Sequence, residues 1–152
     1  MAAALYSTAL LRPGVESAAP PRLSQPHASE DSRAPVCGSR ILLDLTLDDH
    51  QRVIAIGFDL HACAVGQASA AILASAVPGR SVDDLRRMAD ALALWLTDRT
   101  APMPDWPRII ELAEARAYPA RHGAILLPFR AAATAAHRAS EARKGPHKGI
   151  GA

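Results

Sequence analysis

The chain has 152 residues, of which 49% are hydrophobic, 21% charged and 4% aromatic, and its formal net charge is +2. That length suits one domain whose core is filled mainly by alanine and leucine, and the composition excludes disorder over most of the chain. The charge is too small to argue for nucleic acid, two cysteines are too few for a disulfide framework, and no apolar run reaches the roughly 18 residues of a membrane span.

Residues 1–11 are apolar but carry no charged leading segment, and no clear cleavage site follows. They read as an amphipathic helix over residues 5–11, ended by Pro13-Gly14, in a cytoplasmic protein. Glu16, Glu30 and Asp31 weigh against a mitochondrial presequence. Residues 14–35 hold Pro20, Pro21, Pro26 and Pro35 and read as loop, with an edge strand near residues 29–33. In residues 40–47, Ile41, Leu43, Leu45 and Leu47 alternate with Arg40, Asp44, Thr46 and Asp48, which predicts a strand. Residues 48–51 make a turn. Residues 52–60 make a second strand, with Ile54, Ile56, Phe58 and Leu60 on one face and Val53, Ala55, Gly57 and Asp59 on the other. The short connection makes an antiparallel hairpin whose apolar face helices must cover.

Residues 64–77 carry Val65, Ala68, Ser69, Ile72, Leu73 and Ala76 at helical spacing. Pro78-Gly79 ends that helix. Ser81 caps the next one, with Asp84 as its capping-box partner and Leu85, Met88, Leu92 and Trp95 as its apolar stripe. Pro102 and Pro104 bound a loop, and Asp105 is expected to cap a short helix through Leu112. The last helix is expected from Pro119 to Arg138, with Pro128 kinking it. Residues 139–152 read as a basic, disordered tail. The fold class is α+β, a small antiparallel sheet covered on one face by helices.

The two cysteines bracket the hairpin. Cys37 stands just before its first strand and Cys63 just after its second, so connectivity brings both to one end of the sheet. Cys63 also opens a helix, where unpaired N–H groups and the helix dipole favour an anion such as a thiolate. A lone cysteine reads first as a small buried hydrophobe, but the flanking sequence changes that. His27, His50, His137 and His147 read as surface histidines. Trp95 and Trp106 read as core and interface aromatics.

Two segments, Pro35-Val36-Cys37-Gly38-Ser39-Arg40 and Phe58-Asp59-Leu60-His61-Ala62-Cys63-Ala64-Val65-Gly66-Gln67-Ala68-Ser69, flank the hairpin. Together they closely resemble the NifU/IscU/SufU-type iron–sulfur cluster assembly scaffolds. Pro78-Gly79-Arg80-Ser81 and Arg121-His122-Gly123-Ala124 extend the resemblance, which covers roughly residues 5–138 and implies one NifU N-terminal-like domain over residues 1–138. The departures are specific. The family's third cysteine falls at Gly123, its characteristic aspartate at Ser39, and the glycine before its second cysteine at Ala62.

Carried over residue by residue, the resemblance leaves Cys37, Cys63 and His122 as metal ligands, with Ser39, Asp59 and His61 as accessory candidates. It implies a scaffold that binds iron or a nascent [2Fe–2S] cluster, or accepts sulfur from a cysteine desulfurase with Cys37 as the persulfide acceptor. It would serve recipient apo iron–sulfur proteins as a carrier rather than an enzyme. A cluster held by protein alone usually needs four ligands. One chain offers two thiolates and an imidazole, so a cluster needs an outside ligand or a homodimer. Zinc would be satisfied by the three residues and a water. Two other functions remain open: a degenerate, non-catalytic binding module and a zinc-dependent sulfur-transfer protein.

Overall fold

Alternating leucine and isoleucine build the centre of the molecule. The computed structural model describes residues 19–151, with side chains through Arg143. The helix expected over residues 5–11 lies outside the described residues. Three strands form one antiparallel sheet in chain order: β1 (Ala28–Ala34), β2 (Ser39–Leu47) and β3 (Val53–His61). Ile41, Leu43, Leu45 and Leu47 of β2 are all buried, as a period of two requires when one face is covered. The edge strand expected near residues 29–33 is β1, paired with β2 from Ala28↔Leu45 to Ala34↔Ser39.

The alternation expected in β3 fails at its start. Ile54, assigned to the buried face, is 57% exposed, whereas Val53, assigned to the other face, is buried. The ladder pairs Thr46 with Ala55 but Leu47 with Val53. Ile54 is therefore the extra residue of a bulge, and one inserted residue reverses the phase of the side chain before it.

Asp44, read from the sequence as a polar-face residue, is fully buried. The chain before β1 crosses the outer face of the sheet and closes over it. Arg22 donates two hydrogen bonds to the Asp44 carboxylate, both 2.9 Å, the Leu23 amide donates one at 3.0 Å and the Ser29 hydroxyl one at 2.6 Å. The Arg22 guanidinium, with these other donors, holds the carboxyl below the usual carboxylate range against the opposing effect of burial. Gly57 lets the segment pass, because a Cβ there would meet the Pro21 carbonyl oxygen at 2.0 Å.

There are three α-helices, α1 (Ala64–Ala76), α2 (Val82–Thr97) and α3 (His122–Gly151); α3 covers the inner face of the sheet, and α1 and α2 pack against α3. The capping box of α2 is closed in both directions. Asp84 N–H donates to Ser81 Oγ at 3.0 Å and Ser81 N–H donates to Asp84 Oδ2 at 2.9 Å. The predicted stripe of Leu85, Met88, Leu92 and Trp95 is buried. Helix α3 lies across β1 and β2 and touches α1 and α2. Its buried face includes Ala131, Ala132, Ala135, Ala136 and Ala139. Small side chains there bring the helix close to the sheet, which explains how a core with so few aromatics stays filled. Trp106 completes the packing, edge-on to Phe129 with ring centroids 5.5 Å apart, and its indole N–H donates to the Ile72 carbonyl at 3.0 Å.

Two helix boundaries differ from expectation. No helix starts at Asp105. Instead Arg108, with φ of 70°, precedes a 3-10 segment, Ile109–Ala117. A 3-10 turn, Pro119–Arg121, then leads into α3, which continues past Pro128 and does not stop at Arg138. Ala139 and Ser140 are buried, so packing against the sheet carries the helix into the segment that composition alone marks as a tail. Arg138 donates to the Ser29 carbonyl at 2.5 Å and pairs with Glu30, and Arg143 pairs with Asp49 at 3.1 Å. Among the described residues, no helix is long and apolar enough to cross a membrane.

Candidate functional site

The β1–β2 turn carries Cys37. Gly38 has φ of +73°, a left-handed conformation that glycine adopts at no cost, and its N–H donates to the Ala34 carbonyl at 2.9 Å. The turn lifts Val36 out to 82% exposure and leaves Cys37 half-buried behind it. The Cys37 sulfur lies 3.1 Å from the Ser39 hydroxyl oxygen, and either group can donate. Ser39 itself is only 3% exposed. Its hydroxyl thus stands directly beside the sulfur.

Cys63 occupies the N-cap position of α1 and makes no capping hydrogen bond with its side chain. The register Arg40↔His61 puts Cys37, three residues before Arg40, and Cys63, two after His61, beyond the same end of β2 and β3. Neither cysteine is in a disulfide.

The start of α3 reaches the same corner. A Cβ on Gly123 would lie 3.4 Å from the Ala34 Cβ, so position 123 abuts the last residue of β1, three before Cys37. A Cβ on Gly66 would lie 3.4 Å from Ala124 Cβ and 2.7 Å from Ala62 Cβ. The lack of a side chain at Gly66 is what allows the first turns of α1 and α3 to touch there. His122 opens α3, and its Nε2 lies 3.0 Å from the Arg116 carbonyl oxygen. A carbonyl only accepts, so Nε2 carries the proton and the lone pair of the neutral ring is on Nδ1.

The accessory candidates divide. Ser39 belongs to the Cys37 turn. Asp59 and His61 lie on the outer face of β3, opposite Leu42 and Arg40, where they form an exposed pair at 3.7 Å. They sit in a regular strand rather than a loop that could carry them towards the sulfurs. Among the described residues, no three His, Cys, Asp or Glu side chains stand close enough together to hold a metal ion. The corner therefore assembles the right segments without a finished ligand set: Gly123 brings no side chain, and one nitrogen of His122 is already engaged.

Beside it, a cleft of about 200 Å³ opens between the β1–β2 turn and α3, lined by residues that include Ala34, Val36, Gly123, Leu127 and Arg130. Sequence reasoning missed this cleft. Its signal was the glycine at position 123, where the resemblance calls for a side chain.

Residues 19–105 match the model of the NifU-like N-terminal domain family. The solved structure of a nitrogen-fixing NifU-like protein (N-terminal) from Brucella abortus is similar, at 28% identity and a TM-score of 0.80, over 91% of this chain and 96% of that one. A putative iron–sulfur cluster assembly scaffold protein for the SUF system from Fervidobacterium islandicum AW-1 shares the fold. It is 20% identical, with a TM-score of 0.78 over 87% of this chain and 96% of that one. No curated protein matches the chain.

Proposed function

Because the chain belongs to the NifU-like N-terminal domain family, we propose that it is an iron–sulfur cluster assembly scaffold, with iron or a nascent [2Fe–2S] cluster as its cargo. The observation that carries this reading is the pair of free thiols, Cys37 and Cys63, beyond one end of the sheet. Thiolates are the usual ligands of such clusters, and unpaired thiols persist in a reducing compartment such as the cytoplasm.

Cys37 and Cys63 supply the thiolates and His122 an imidazole ligand through Nδ1. A metal-bound histidine commonly donates its other N–H to a carbonyl, which is the bond His122 makes to Arg116. Of the accessory candidates, Ser39 has the support of its 3.1 Å approach to the Cys37 sulfur. Two thiolates and one imidazole leave a cluster short of ligands, so the remainder comes from outside the chain.

Sulfur enters by transfer from a cysteine desulfurase. The Cys37 thiolate attacks the outer sulfur of a persulfide on that partner. A new S–S bond forms at Cys37, the partner's S–S bond breaks, and the partner's thiolate leaves with the electron pair. An external two-electron reductant then brings the outer sulfur of the Cys37 persulfide to the level of sulfide, which joins iron and leaves Cys37 as a thiolate. Recipient apo proteins take the finished cluster.

Anaerobic reconstitution with iron and sulfide tests the reading. The expected product is coloured protein containing both elements, lost in Cys37→Ala and in Cys63→Ala. Uptake of zinc but no iron or sulfide would favour a zinc-dependent sulfur-transfer protein, and no uptake of any metal would favour a binding module.

A further inference from the structure

The cleft meets the proposed site at Gly123, the position that brings no ligand; Cys37, Cys63 and His122 do not line it. Its floor is apolar, with Ala34 and Leu127 both buried. Its volume of about 200 Å³ is below the roughly 300–1,000 Å³ of pockets that enclose drug-sized ligands, which suits a molecule of amino-acid size.

Two exposed arginines line the cleft: Arg33 of β1, whose charge acts on Asp31, and Arg130 of α3, a cation with no assigned work. Three arginines on α3 have described side chains. Arg138 is spent on Glu30 and the Ser29 carbonyl, and Arg143 on Asp49. Arg130 is exposed, lines the cleft, and makes no hydrogen bond or ion pair among the described residues. Gly123, Leu127 and Arg130 follow at spacings of four and three, which puts them on one helix face. Positions 123 and 130 are about 10 Å apart along the axis, and long side chains lean back towards the helix N-terminus. A short molecule can therefore reach from position 123 to the guanidinium.

We propose that this cleft binds a small thiol bearing a carboxylate, of the size of free cysteine. Its carboxylate pairs with Arg130, and its sulfur takes the place that Gly123 leaves empty. On ligation the thiol loses its proton to solvent and the thiolate completes the ligand set from outside. This rests on the scaffold reading, since only cargo at Cys37 and Cys63 gives that sulfur a partner.

The test uses 3-mercaptopropionate, with 2-mercaptoethanol as the thiol without a carboxylate. During reconstitution with iron and sulfide, the acid should reach half-maximal cluster occupancy at a concentration about fivefold lower, the weight of one exposed ion pair. Arg130→Gln should bring that ratio to about one, and Gly123→Cys should remove the dependence on added thiol. Equal potency of the two thiols, a ratio unchanged in Arg130→Gln, or full occupancy without thiol as one cluster per two chains would overturn the proposal.

A second measurement needs no metal. Metal-free protein titrated with 3-(methylthio)propionate should show saturable shifts of the Ala34 and Gly123 amide signals, absent in Arg130→Gln. If neither wild type nor Gly123→Cys takes up a cluster with any thiol, the scaffold reading fails. The titration then still judges the cleft, and absence of those shifts would overturn carboxylate binding there.

Discussion

Asp44 and Cys37 lie at or beside the same strand and are treated in opposite ways. Asp44 is fully buried and receives four hydrogen bonds from Arg22, Leu23 and Ser29. Cys37 is half-buried, beside one hydroxyl and 3.9 Å from the Ala34 carbonyl oxygen. A buried charge must be satisfied or it destabilises the fold. A sulfur that is to ligate iron or accept sulfur, the role proposed for Cys37, must keep its lone pairs available. The difference separates the polar group that holds the sheet together from the one that the sheet holds out.

The largest expected effect lies at the open end. Gly123→Cys adds a thiolate against Ala34, and zinc affinity should rise by more than the roughly 100-fold that even outer-shell partners command. Competition with a chelator measures it. An affinity unchanged from wild type would mean that position 123 does not face the cysteines. Cys37→Ala, by contrast, should abolish iron uptake while changing unfolding free energy by no more than about 1 kcal/mol, since it removes only weak local contacts.

On the covered outer face of the sheet the balance reverses. Asp44→Ala strands the Leu23 amide and the Ser29 hydroxyl and should cost about 2–3 kcal/mol in urea unfolding, with metal uptake intact. The pH dependence has a definite sign. The folded-state carboxyl is held below its ordinary value, so its contribution is fully present above the unfolded value of about 3.9 and is lost as pH falls through the lower folded value. The stability advantage of wild type over Asp44→Asn should hold from pH 7 to about 5 and shrink below about 4. A difference that stays constant as pH falls below about 4 would show that the carboxylate charge is not what Arg22 recognises.

A smaller effect belongs to the α2 cap. Ser81→Ala removes the acceptor for Asp84 N–H and should cost about 1 kcal/mol, read from the urea midpoint. This cap was legible in the sequence because the Ser81 to Asp84 spacing is local. So was the strand of Ile41, Leu43, Leu45 and Leu47, whose period needs no distant partner.

Illegible features depend on residues far apart in the chain. Asp44 is bonded by Arg22, 22 positions earlier. The run of α3 beyond Arg138 leans on Ser29, 109 positions away. The bulge at Ile54 looks like regular alternation until the register is known. At the site, connectivity alone put Cys37 and Cys63 at one end, because each flanks the hairpin. The bond from His122 to Arg116 was not visible, because it depends on the 3-10 segments that replace the expected capped helix.

The smallest effect tests why position 123 is glycine. In a helix interior glycine costs about 1 kcal/mol relative to alanine. Helix α3 starts at His122, however, so Gly123 sits in the first turn, where fewer backbone bonds depend on it. An added methyl would meet Ala34 Cβ at 3.4 Å, which is contact without serious overlap. Gly123→Ala should therefore be neutral or stabilising by only about 0.5 kcal/mol, by the same helix preference. Stability gives no reason to keep glycine, which leaves the cleft as the reason. The methyl would stand where the added sulfur is proposed to bind, so Gly123→Ala should raise the 3-mercaptopropionate concentration needed for cluster uptake. Gly123→Cys should remove the need for it. If alanine proves strongly destabilising, glycine is there for close packing against β1. If alanine leaves the thiol requirement unchanged, the incoming sulfur approaches from another side of Cys37.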